Sequence, residues 1–172
     1  KRLKVLLLDA GKFAKDRVCP MNKNKKACIN CIPCNIMSGF GGAGTFSDGK
    51  LNFIPKLGKS DLFKYMKEQE AYDLIDDTEK IFNEFGMDSD VYPSNMVEAN
   101  EIKKKVALSG ARLMLIKQKH LGSDHLPNYI QKFTDYLVKN NTEVLDNSEV
   151  IDINSLKKDL HEIIYQRHNK IV

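Results

Sequence analysis

No stretch of this 172-residue chain stays apolar for long: the longest strongly hydrophobic run, Val5–Leu8, falls far below the roughly 18 residues a membrane-spanning helix needs. Nor does the start of this sequence read as a secretory leader. Lys1-Arg2 precede that run, but it ends at Asp9 with no small-residue cleavage site, so a soluble, cytoplasmic protein without membrane contact is expected. A large excess of one charge sign is missing too, and a net +4 is too small to point to nucleic acid. Internal repeats and low-complexity tracts are not seen, and no Ser-His-Asp order or paired-carboxylate arrangement stands out. With 42% hydrophobic and 29% charged residues, the composition excludes wholesale disorder and a fibrous protein. The length suits one domain. The chain opens without Met, enters an apolar strand at once and stops at Ile171-Val172 with another strand under way, so the expectation is an internal fragment.

What is present is unevenly spread. Residues 1–26 carry nine Lys and Arg against Asp9 and Asp16, a balance of +7 that leaves the remainder at −3. That basicity reads either as a solvated loop or as attraction for an anionic cofactor. All four cysteines, three of the five prolines and six of the ten glycines fall between residues 18 and 58, where periodic patterning is nearly lost.

Around this segment the pattern is regular. Lys4–Leu8 reads as a strand buried on both faces, as in a parallel sheet. Ser60 or Asp61 caps an expected helix with Leu62, Phe63, Met66, Tyr72, Ile75, Phe82 and Phe85 on its apolar positions, closed by Gly86. Asn95 and Glu98 open a second helix that Gly110 stops. Leu113–Ile116 is short enough for a buried strand. Ser123 or Asp124 caps a third helix with the stripe Leu126, Tyr129, Ile130, Phe133 and Leu137, closed by Asn140-Asn141. Residues 143–145, 150–153, 162–166 and 171–172 read as strands, the last two as a hairpin. The order of elements points to an α/β domain, with α+β as the variant.

Cys19, Cys28, Cys31 and Cys34 are spaced C-x8-C-x2-C-x2-C. Four thiols within sixteen residues of a cytosolic-looking chain are a metal-ligand pattern before they are a disulfide framework. Three cysteines in series plus a Cys-Pro element share the grammar of cubane iron–sulfur sites, although the Cys-Pro lies upstream. Zinc and metal-free thiols stay open as alternatives.

Gly39-Phe-Gly-Gly-Ala-Gly-Thr-Phe-Ser-Asp-Gly-Lys50 is the most distinctive stretch. Glycine at this density lets the backbone approach a ligand and aim consecutive N–H groups at an anion, with Thr45, Ser47 and Lys50 as further phosphate donors. It is neither a P-loop, because Leu51 follows Lys50, nor a dinucleotide fingerprint opening a helix. A flexible loop is the bland alternative.

The runs Val5–Lys12, Arg17-Val-Cys-Pro20, Cys31–Leu51 and Lys119-His-Leu-Gly122 together resemble the family of uncharacterised FAD-dependent dehydrogenases of bacteria and archaea, also called NAD(P)/FAD-dependent oxidoreductases. The resemblance covers most of the chain and is most specific from Gly39 to Leu51. It implies part of a two-dinucleotide-binding flavoprotein fold, hydride or electron transfer through flavin, an unknown small-molecule substrate, and NAD(P) as a second nucleotide. By that resemblance Lys4–Leu8 is the second strand of the FAD domain, and Asp9 takes the acidic position that binds the adenosine ribose. Gly39, Gly41, Gly42, Ala43, Gly44, Thr45, Ser47, Asp48 and Lys50 then lie along the pyrophosphate and flavin. Without the resemblance, Asp9 reads as a turn residue that ends the strand. The family's opening G-x-G-x-x-G unit is not in this chain.

Three regions follow from this reading: 1–58, a partial FAD-binding segment with the cysteines and glycines; 59–141, a helical cap region with one strand; and 142–172, strands returning toward the FAD domain. His120, at a strand end, is the acid–base candidate, against a hydrogen-bonded structural histidine. His125, His161 and His168 receive no role. A reading of another class makes the chain a zinc- or iron–sulfur-binding interaction module that contacts RNA or a protein partner, although few aromatics accompany the cysteines. A third has the cysteines relay electrons to flavin as thiols.

Overall fold

Short apolar runs and capped amphipathic segments alternate along the chain, and the computed structural model, which describes residues 3–24, 27–122 and 124–172, turns them into a mixture of helices and strands. In chain order these are β1 (Val5–Leu8), α1 (Pro20–Asn24), β2 (Lys50–Asn52), β3 (Lys56–Leu57), β4 (Ser60–Asp61), α2 (Glu68–Glu84), β5 (Val91–Tyr92), α3 (Met96–Leu108), β6 (Gln118–His120), α4 (Leu126–Lys139), β7 (Thr142–Leu145), β8 (Ser148–Lys157), β9 (Leu160–Arg167) and β10 (Lys170–Ile171). Single 3-10 turns stand at Ala14–Asp16, Ala43–Phe46 and Leu62–Lys64. Among the described residues no helix is long and apolar enough to cross a membrane.

The chain forms two units: Lys1–Ser47 with Ser123–Val172, and Asp48–Gly122. The boundaries at 47/48 and 122/123 differ from the expected ones at 58/59 and 141/142. The reason lies in α4, whose apolar stripe packs on β7 and on the 3-10 turns at Ala14–Asp16 and Ala43–Phe46. That contact ties α4 to the first unit.

In the first unit β1 and β7 pair in parallel, Val5 opposite Thr142 and Leu8 opposite Leu145. Beyond them, β8, β9 and β10 form an antiparallel meander. The pairing direction is the expected one, but the burial is not. Val5, Leu6 and Leu7 remain 47, 47 and 37% exposed, because among the described residues β1 has a single partner strand. Leu126 and Thr134 are the buried positions of α4, with Tyr129, Ile130, Phe133 and Leu137 half-buried beside them. Its N-cap is His125 rather than Asp124, and the other expected cap, Ser123, lies outside the described residues.

The second unit is built on a three-stranded antiparallel sheet in the order β2-β6-β5, with the β3–β4 hairpin beside α2 and α3 in sequence. Phe53, Ala71, Met87, Ala99 and Leu121 are its buried apolar residues. The single expected helix from residue 61 to 85 is broken. Asp61 does cap, accepting from Phe63 N at 3.1 Å, but it caps only a 3-10 turn. The chain then extends at Lys67, and α2 starts afresh with Glu68 and Glu70 in its first turn, where carboxylates favour a helix N-terminus. Asn95 caps α3 as expected, through Val97 N and Glu98 N. Leu113–Ile116 is not a strand; the ladder falls at Gln118–His120, where β2 and β5 supply partners.

Candidate functional site

Arg17 ends the first 3-10 turn and is 2% exposed, so its guanidinium has to find acceptors inside the protein. It finds them in one stretch of backbone. Nε donates to Asn35 O at 2.9 Å and Nη2 to Ile36 O at 2.7 Å. Nη1 donates to Phe40 O at 2.8 Å and Gly42 O at 2.9 Å, with Gly39 O and Thr45 Oγ1 further out at 3.4 and 3.3 Å. The Phe46 ring centre lies 4.8 Å from the guanidinium carbon. Burial lowers the pKa of Arg17, while the charges of Asp9 and Cys34 act the other way. Sequence reasoning gave Arg17 no such role. The available signal was its residue type, one of only four arginines among 23 lysines.

The segment that Arg17 holds lies against the loop after β1. A Cβ on Gly11 would stand 2.5 Å from Gly39 Cα, and one on Gly39 would stand 2.6 Å from Lys12 O. Phe40 N bonds to Lys12 O at 3.1 Å, and the Phe13 and Phe40 rings stack at 5.0 Å. Gly41, Gly42, Ala43 and Gly44 remain exposed, and a Cβ on Gly42 or Gly44 would meet nothing within 4 Å. An open floor is the result. The expected anion nest is partly closed, since the N–H groups of Gly42, Thr45 and Ser47 already donate to Gly39 O, Gly42 O and Gly44 O.

Each remaining expected ligand has a defined place. Asp9 shows the turn role: Oδ1 accepts from Gly11 N at 2.7 Å, while its backbone joins Leu145 O and Ser148 N. Thr45 is buried and faces Arg17, so it is no surface phosphate donor. Ser47 Oγ donates to Gly44 O. Asp48 and Lys50 belong to the second unit and pair with each other at 2.9 Å on the surface. The hydrogen bond and charge of Lys50 hold the Asp48 carboxyl below its ordinary range. His120, also in the second unit, is the exposed last residue of β6, and its Nε2 donates to Asp48 O at 2.9 Å. That bond is the structural arrangement weighed for it above.

Cys19, Cys28, Cys31 and Cys34, all unpaired, line one pocket of about 280 Å³ together with apolar side chains that include Ile29 and Ile32. Asn35 ties the pocket walls together, its Nδ2 donating to Val18 O at 2.8 Å. The backbone N–H groups of Ile36 and Met37, with help from Arg17, hold the Cys34 thiol below the usual thiol range against the opposing effect of desolvation. Cys28 Sγ accepts from Asn30 N at 3.4 Å. Among the described residues no three His, Cys, Asp or Glu side chains are gathered so as to hold a single metal ion. Of the basic segment, Lys1, Arg2, Lys25 and Lys26 lie outside the described residues.

The second unit has its own concavity, an apolar groove along Tyr92, Pro93, Leu115 and Ile116. It brings together no titratable cluster. Comparison of the chain with family models, curated proteins and solved structures finds no match.

Proposed function

We propose that this chain is part of a cytoplasmic FAD-dependent oxidoreductase of the two-dinucleotide-binding kind, which passes hydride or electrons through flavin to or from a small-molecule substrate. One observation supports this reading above the others. The glycine-rich segment is clamped by Arg17 against the loop at the carboxyl end of β1, a strand in parallel pairing with β7. In open α/β sheets that end of a parallel strand is where nucleotides bind.

Under this reading Asp9 keeps Oδ1 on Gly11 N and offers its other oxygen to a ribose hydroxyl. Gly42, Ala43 and Gly44 form the exposed surface along which the pyrophosphate and flavin lie, two of them without a side chain to stand in the way. Arg17 keeps that surface in one conformation. Flavin, when bound, supplies the hydride chemistry, and NAD(P) is the second nucleotide the reading admits. His120 is the acid–base candidate, with its proton held at Nε2 by the Asp48 carbonyl.

The protein expressed from its complete gene and purified without added cofactor is expected to release about one FAD per chain on acid denaturation. Gly44→Ala places a methyl group in open space, so it should lower flavin content without moving the thermal midpoint. A preparation with no flavin absorbance that also fails to take up added FAD overturns the reading.

A further inference from the structure

The four cysteines come from two separated pieces of chain, the Cys-Pro that opens α1 and the loop from Cys28 to Cys34, and both pieces face one pocket. No disulfide joins any of them. A single tetrahedral zinc ion, with Zn–S bonds of about 2.3 Å, would draw its four sulfurs to within about 4 Å of one another. Among the described residues no three ligands are gathered on one ion, and the pocket that the four cysteines line has a volume of about 280 Å³. A cubane of four irons and four sulfides needs its thiolates further apart, around a body far larger than one ion.

The surroundings agree with a cluster. A backbone N–H is turned to one of the sulfurs, Asn30 N donating to Cys28 Sγ at 3.4 Å, and such bonds stabilise the negative charge of cluster thiolates. Ile32 is 98% exposed and Ile29 65%, apolar side chains at a pocket that a cluster would fill and they would screen from water. Arg17, Lys12 and Lys15 add positive charge on the same short segment.

We infer that Cys19, Cys28, Cys31 and Cys34 hold one iron–sulfur cluster of the cubane type. It enters by ligand exchange from a preformed cluster on a thiol carrier: four protein thiols lose their protons to bind iron, the carrier's thiolates take up four, and no electron moves. The inference does not rest on the flavin reading.

The protein expressed from its complete gene in iron-replete cells and purified without oxygen should contain about four irons and four acid-labile sulfides per chain. Its broad visible absorption should bleach with dithionite. Serine at any one of the four cysteines should cut iron content several-fold, whereas His125→Ala should leave it unchanged. Because a serine variant can fail for want of folding, the wild-type protein carries the decisive measurement. About one zinc per chain with a featureless visible spectrum overturns the inference, and so do four iodoacetamide-reactive thiols with no metal. Flavin is assayed in the same sample. Iron without flavin removes only the oxidoreductase reading, and flavin without iron removes only this one.

Discussion

Arg17 places its N–H groups on four backbone carbonyls that lie within a few residues of each other in sequence. A lysine at this position has one nitrogen and no planar fork, so it cannot reach Asn35 and Ile36 on one side and Phe40 and Gly42 on the other. Each buried carbonyl left without its donor costs about 1–3 kcal/mol. Arg17→Lys is therefore expected to lower unfolding free energy by about 3 kcal/mol, read from urea denaturation, and to make the chain between Gly41 and Gly44 an early site of proteolysis. A loss under about 1 kcal/mol with an unchanged digestion pattern would show that the loop holds itself. At this scale the sequence displayed the glycines and cysteines as residue types but not the bonds that organise them. Arg17 counted there as one more cation, and Thr45 as a phosphate donor, because burial is a property of the folded chain.

Among the elements, the sharpest electrostatic arrangement joins α2 to β6. Lys119 is 4% exposed, and its Nζ lies 3.1 Å from Glu79 Oε1 and 2.6 Å from Asn83 Oδ1. Lys117 reaches the other Glu79 oxygen. Burial raises the Glu79 pKa, but the hydrogen bonds and charges of Lys117 and Lys119 outweigh it and hold the carboxyl below its ordinary value. A depressed carboxylate contributes stability that is present above its unfolded pKa and lost as pH falls through the folded one. Between neutrality and about pH 3 the protein should lose stability, and Lys119→Met should lose less over that range while starting about 2 kcal/mol lower at pH 7. Urea titrations of both proteins at several pH values would decide it. Identical pH slopes would place the acid sensitivity elsewhere.

Elements whose cues are local were readable in advance. Asn95, Gly110, the stripe of α4 and the hairpins after β7 carry their own caps, period or turns. The misplaced ones depend on distant partners. Leu113–Ile116 has strand composition but no ladder opposite it, and the break before α2 follows from a new acidic N-terminus that competes with the continuous apolar pattern.

For the whole molecule, the length suggested one domain, yet two units form, because the chain leaves the first after Ser47 and returns to it at Ser123. The charge balance, near neutral overall, conceals a basic stretch beside the cysteines. Parallel pairing of β1 was legible in its aliphatic run; its exposure was not, since a strand's sequence does not count its neighbours. That pairing also sets an order in time. Val5 meets Thr142, so during synthesis at about 5–20 residues per second β1 waits roughly 7–27 s for the strand it pairs with. Chains stopped just before Thr142 should show amide exchange in β1 as fast as in an unfolded peptide, whereas full-length chains should protect it. β1 thus leaves the ribosome long before the strand it pairs with, and through that interval its bare aliphatic edge is what a nascent-chain chaperone would meet.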